Sequence, residues 1–122
     1  MAHNAQSENL RFAIEVISDK WRIRLLHQLL AGPLRTGQLQ KDLNGVSAKV
    51  LTQTLRGLER DGLIHRDVSA TVPPRVEYRL TAIANHLLRA LDDLSCWSES
   101  YGEETLLARR RYDDARVLMR YS

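Results

Sequence analysis

Cysteine is nearly absent from this chain of 122 residues, and Cys96 is its only example. A lone thiol excludes an internal disulfide framework and a cysteine-rich zinc site. The four histidines, His3, His27, His65 and His86, are scattered without the short spacings of metal ligands. No apolar run approaches the roughly 20 residues of a membrane span. The opening MAHNAQSENL lacks a basic-then-apolar signal pattern, so a cytoplasmic location is expected. No nucleophile–base pair or metal set stands out. An enzyme is therefore not expected, and no metal or cofactor is called for. The chain contains no internal repeat and no low-complexity segment.

What is present fits one small globular domain. Hydrophobic content of 43% and charged content of 27% are ordinary for such a chain. The net charge is +3, and its distribution says more than its size. Residues 35–79 hold eight bases (Arg35, Lys41, Lys49, Arg56, Arg60, Arg66, Arg75, Arg79) against five acids (Asp42, Glu59, Asp61, Asp67, Glu77). The remainder balances, so the basic middle suggests an anionic partner for that segment.

Residues 1–7 are polar and read as a flexible N-terminus. Ser7 can cap a first helix that carries Leu10, Ile14 and Ile17 at i, i+4, i+7 to about Ile17. Asp19 can cap a second helix with a buried stripe of Trp21, Leu25, Leu26, Leu29 and Leu30. Gly32 then Pro33 stop it. Residues 34–36 could form a small strand. A third, short helix starts at Thr36 or Gly37 and carries Leu39 and Leu43, and Asn44-Gly45 closes it in a tight turn.

Residues 46–66 are the most informative stretch. Ser47 is a good N-cap, and Val46 with Leu51 could form a hydrophobic staple. Leu51, Leu55 and Leu58 share one helix face. Lys49, Thr52, Gln53 and Arg56 share the opposite one, a stripe without an acid. Its groups are those that read base edges and hold phosphates, although a plain solvated face has the same pattern. Two helices joined by a short glycine-containing turn form a helix-turn-helix pattern. After Gly62 the period changes. Residues 63–68 read as a strand of mixed alternation, and residues 75–80 alternate strictly, as a half-buried strand should. Together they predict a β-hairpin around Pro73-Pro74, with Arg75 beside its tip.

Thr81 caps a long helix in which Ile83, Leu87, Leu88, Leu91, Leu94 and Trp97 follow at spacings of three and four to about Ser98. Its apolar face and that of the first helix exceed the needs of one small core, which predicts a dimer interface. Tyr101-Gly102 reads as an interruption before a helical tail. In that tail Arg109, Arg110 and Arg111 read as a solvated run paired with neighbouring acids. The expected organisation is a flexible segment over 1–7, a DNA-binding and dimerisation domain over 8–100, and a helical tail over 101–122.

Four segments resemble one family in order. Ile17-Ser18-Asp19-Lys20-Trp21 resembles the "I-G-x-K-W" opening of the HxlR-type bacterial transcription regulators. Leu29-Leu30-Ala31-Gly32-Pro33-Leu34-Arg35 resembles their "L-x-x-G-P-x-R". Residues 45–64, GVSAKVLTQTLRGLERDGLI, resemble their "G-I-S-x-K-x-L-x-x-x-L-x-x-L-x-x-D-G-L-I". Residues 72–81, VPPRVEYRLT, resemble their wing, "V-P-P-x-V-E-Y-x-L-T". The match spans roughly residues 10 to 97.

The resemblance implies a mainly α fold with a small β-hairpin wing, an α+β winged helix-turn-helix. It implies a homodimer paired through N- and C-terminal helices, with Leu10, Ile14, Ile17, Leu87, Leu91 and Leu94 as expected interface residues. It also implies one recognition helix per subunit in successive major grooves, hence double-stranded DNA with an inverted repeat as partner. The expected DNA-binding residues are Thr36, Gln38, Ser47, Lys49, Thr52, Gln53, Arg56 and Arg75, with Lys20 as a candidate backbone contact. Gln53 and Arg56 suit adenine and guanine edges, and Lys49 and Ser47 suit phosphates. Thr36 and Gln38 lie against the backbone, and Arg75 suits a minor-groove or phosphate contact.

The expected function is transcription regulation as a repressor, with a small-molecule effector of unknown identity as a further candidate partner. The alternative is a winged-helix ligand-sensing or protein-docking module without specific DNA binding. The chain departs from the family in two places. Some members sense oxidants or electrophiles through a cysteine near the N-terminus, and the first ten residues here contain none, so Cys96 is expected as a packed core or interface thiol. Gly37 stands where the family often has a capping serine.

Overall fold

The computed structural model describes residues 2–121, with side chains from Ser7 onward. In chain order the elements are α1 (Ala2–Ser18), α2 (Lys20–Gln28), β1 (Leu34–Arg35), α3 (Thr36–Asp42), α4 (Ala48–Arg60), β2 (Ile64–Val68), β3 (Val76–Leu80) and α5 (Ala82–Tyr121), with a single 3-10 turn at Leu29–Ala31. This is the winged helix-turn-helix order expected from the sequence. The chain forms two compact units that divide between Leu88 and Arg89.

In the first unit, α2 is the hub and touches α1, α3 and α4. Asp19 starts it by accepting from the N–H groups of Trp21 and Arg22 at 3.0 and 3.1 Å, which satisfies donors that a helix leaves open. Leu25, Leu26 and Leu29 are buried as the periodicity requires, while Trp21 is only half-buried and Leu30 is exposed. Lys20 and Arg24 both lie over the Trp21 ring, at 4.8 and 5.4 Å. The far edge of the indole meets the Gly45 turn, 4.0 Å from where a Cβ would sit. That turn needs its glycine, because Gly45 has φ +91°. Gln40 Nε2 donates to the Val46 carbonyl at 2.7 Å and locks the same turn from the α3 side.

α4 is held at both ends. Ser47 Oγ accepts from the Val50 N–H at 3.1 Å. At the other end Gly62 (φ +74°) and Leu63 donate to the carbonyls of Glu59 and Leu58, at 3.0 and 2.9 Å, which is the Schellman arrangement. Leu51, Leu55 and Leu58 are buried, and so is Thr54, whose hydroxyl donates to the Val50 carbonyl at 2.8 Å. Arg22 of α2 also grips α4. Its Nη1 reaches Asp61 Oδ2 at 3.2 Å, and its guanidinium lies 3.0 Å from where Gly57 would carry a Cβ.

The three strands form an antiparallel sheet in the order β1-β3-β2, with Leu34 and Arg66 opposite Tyr78 on either side, and Arg35 and Asp67 opposite Glu77. Side chains alternate across a sheet. Leu34, Ile64, Arg66, Tyr78 and Leu80 therefore share the inner face, and Arg35, His65, Asp67, Glu77 and Arg79 share the outer one. Thr81 ties the wing to α5. Its hydroxyl lies 2.7 and 3.1 Å from the carbonyls of Gly62 and Leu63 and accepts from the Ala84 N–H at 3.4 Å.

Several expectations are corrected. α1 begins at Ala2, so residues 2–7 are helical and Ser7 lies within the helix instead of capping it; Met1 lies outside the described residues. Among the described side chains of α1, Val16 is buried, while Leu10 (61%) and Ile14 (49%) are exposed, which leaves the expected pairing face uncovered in a single chain. α3 starts at Thr36, one of the two expected starts, and Arg35 is its cap residue, with its N–H donating to Gln38 Oε1 at 3.0 Å. α5 continues through Tyr101 and Gly102 without a break. One glycine costs a long helix only about 1 kcal/mol relative to alanine, so it does not by itself end one. In the second unit Cys96 is exposed on α5 and is not a core thiol. Leu94, Trp97 and Tyr101 are exposed on the same helix.

Candidate nucleic-acid interface

The two faces of α4 separate as the sequence predicts. Lys49, Thr52, Gln53 and Arg56 are all exposed, opposite the buried leucines. Local hydrogen bonds then decide which groups remain open to a ligand. Thr52 Oγ1 donates to the Ala48 carbonyl at 2.9 Å, so it can offer a ligand only an acceptor. Ser47 and Gln38 show the reverse. Each spends an acceptor oxygen on a backbone N–H and keeps its own hydrogens to donate outward, which suits an anion.

A cleft of about 390 Å³ runs beside α4, lined by Thr36, Thr52, Leu55, Arg56, Glu59, Arg66 and Tyr78. It joins the start of α3, the flank of α4 and the inner face of the sheet. A second hollow, of about 540 Å³, lies between the start of α3 and the wing loop, and Arg35, Thr36, Gly37 and Arg75 are among its lining residues. The structure thus brings Thr36, Thr52 and Arg56 together in one cleft and Thr36 with Arg75 in the other. Lys49, Gln53, Ser47, Gln38 and Lys20 line neither. Lys20 lies on the Trp21 ring instead.

The wing loop is closed by its own polar groups. The Arg75 N–H donates to Ser69 Oγ at 2.9 Å, and the Ser69 N–H donates to the Arg75 carbonyl at 2.9 Å. Thr71 spends its hydrogen on the Pro73 carbonyl at 3.1 Å, so Ser69 must be the donor in its 2.7 Å contact with Thr71. A single donor chain therefore fixes the backbone on which Arg75 is displayed.

Charge pairing divides the cations. Arg22, Arg35 and Arg79 are engaged in ion pairs with Asp19 and Asp61, Glu77, and Asp67, respectively. Among the described residues Lys49, Arg56, Arg66 and Arg75 form none. The cleft lining also contains two charged residues outside the expected set, Glu59 and Arg66. Glu59 lies three residues after Arg56 and seven after Thr52, so the acid-free stripe ends one turn earlier than the face does. Arg66 sits two residues after buried Ile64. That spacing is the signal that could have found it, but the alternation of β2 is too irregular to carry the inference alone.

The chain's relatives fit this geometry. The description HxlR-like helix-turn-helix matches residues 16–106. The chain is similar to the HTH-type transcriptional regulators YkvN and YdeP of Bacillus subtilis (strain 168). It is 40% identical to YkvN over 90 residues, 74% of this chain and 76% of that protein. It is 37% identical to YdeP over 103 residues, 83% of this chain and 80% of that protein. Among solved structures it resembles a transcriptional regulator of the MarR family from Enterococcus faecalis V583. The TM-score is 0.74 at 37% identity, covering 82% of this chain and 91% of that one. With the two-faced helix, its turn and its wing in place, the chain belongs to the HxlR-like helix-turn-helix family of transcriptional regulators, which are not enzymes.

Proposed function

We propose that this protein is a cytoplasmic transcriptional repressor that binds an inverted repeat in double-stranded DNA as a homodimer. The observation that carries the reading is the exposed stripe of Lys49, Thr52, Gln53 and Arg56, whose cations have no ion-pair partner among the described residues. An unpaired guanidinium on a helix anchored by three buried leucines is preorganised for an anion or a guanine edge. Gln53 and Arg56 read bases. Lys49, Ser47, Thr36 and Gln38 hold the backbone, and Arg75 reaches it from the wing. Thr52 contributes an acceptor.

Pairing of two copies is supported by the exposed apolar side chains of Leu10, Phe12 and Ile14 on α1, and of Leu94, Trp97 and Tyr101 on α5. Two recognition helices about 34 Å apart would call for half-sites one helical turn apart. A small-molecule effector would act by changing that distance or angle.

The test is a gel shift on the DNA upstream of the protein's own gene, across a salt series. Binding that is sequence-selective and falls steeply with salt is expected. Selective binding to no duplex, with or without added salt, would turn the assignment towards a protein-docking module.

A further inference from the structure

We propose that Arg66 is a DNA-binding residue that, with the Thr36 hydroxyl, holds one backbone phosphate at the cleft between α4 and the inner face of the sheet. The proposal rests on the regulator reading and assigns a contact that the recognition-helix stripe does not include.

Arg66 is placed by the sheet. It stands opposite buried Tyr78 in the β2–β3 register, and two residues after buried Ile64. The alternation of the strand therefore turns its side chain to the inner face, where it lines the 390 Å³ cleft with Thr36 and Arg56. Neither guanidinium forms an ion pair among the described residues, although Glu59 lines the same cleft. The Arg66 guanidinium therefore presents an uncompensated positive charge beside the Thr36 hydroxyl, which favours an anion.

Phosphate is the anion that fits. The guanidinium fork offers paired N–H donors to two oxygens of a phosphodiester, and Thr36 offers a hydroxyl on the adjoining wall. The outer crest of α4 (Lys49, Gln53) does not line this cleft. Arg66 therefore flanks the helix, as a backbone contact should when the helix itself enters the groove. Arg56, on the opposite wall, keeps its role at base edges.

The experiment measures binding of the full chain across a salt series, on a random-sequence duplex and on the duplex upstream of its own gene. Wild type is compared with Arg66→Gln and with Arg66→Lys, which keeps the charge. Arg66→Gln is expected to weaken binding several-fold and by the same factor on both duplexes. Its log K against log salt should lose a slope of about one unit per protomer. Arg66→Lys should keep the wild-type slope. A wild-type slope and affinity in Arg66→Gln would overturn the phosphate seat and leave the regulator reading standing. A loss confined to one base position of the upstream duplex would overturn it as well, by making Arg66 a base reader. Failure of the wild type to bind either duplex would overturn both readings together.

Discussion

The two faces of the wing sheet use the same residue type to opposite ends. On the outer face Arg79 lies 3.0 Å from Asp67, which also meets His65 at 3.1 Å, and Arg35 lies 4.0 Å from Glu77. On the inner face Arg66 forms no ion pair among the described residues, and neither does Arg56 across the cleft. The outer cations are neutralised by residues of the sheet itself. The inner ones carry no such neutralising partner among the described residues. Counting bases along the segment cannot make that distinction, because the excess of three charges is set by all of them equally. What distinguishes them is strand parity: position 66 faces inward, and positions 65, 67, 77 and 79 face outward.

The largest expected effect removes the scaffold on which the contrast depends. Leu58 is fully buried on the back of α4, so Leu58→Ala should destabilise the fold by about 2–5 kcal/mol, read by chemical denaturation. A loss below ~1 kcal/mol would show that α4 is not anchored through this face. Next comes the reading edge. Arg56→Ala should weaken specific binding by about 1–3 kcal/mol and relax one base position; a gel shift against single-base operator variants would show whether selectivity survives intact, which would remove Arg56 from base reading. Lys49→Gln should weaken binding to all sequences alike and lower the salt slope by about one unit per protomer. A change in sequence preference would instead make Lys49 a base contact. The smallest effect belongs to the outer face. Arg79 and Asp67 are both about half-exposed, so Arg79→Gln should cost the fold under ~1 kcal/mol in thermal unfolding.

Much of this was legible in the chain because helical periodicity is redundant. Three leucines at 51, 55 and 58 fix the buried face of α4, and the stripe at 49, 52, 53 and 56 then has only one side left to occupy. The caps were readable too, since Asp19, Ser47 and Gly62 each perform a job that few residues can. Glycine misled at position 102, where a long helix carries the local cost without breaking. Serine misled at position 7, since a residue that can cap a helix need not do so when the helix already runs through it. On α1, the periodicity of Leu10, Ile14 and Ile17 marked an apolar stripe but could not tell core from surface. Val16, one residue before Ile17, is the side chain that the core takes. Arg66 stayed hidden because five residues of β2 contain too few apolar positions to reveal which parity faces inward. The strand partner that settles it, Tyr78, lies twelve residues away.

The most direct test of the contrast sets Arg56→Gln beside Arg79→Gln, two substitutions that change the net charge by the same amount. Both are measured for duplex binding across one salt series. Arg56→Gln is expected to lose affinity and flatten the salt dependence, while Arg79→Gln is expected to match the wild type. Equal losses in the two variants would contradict this, showing that net charge governs binding and that the pairing of individual cations does not.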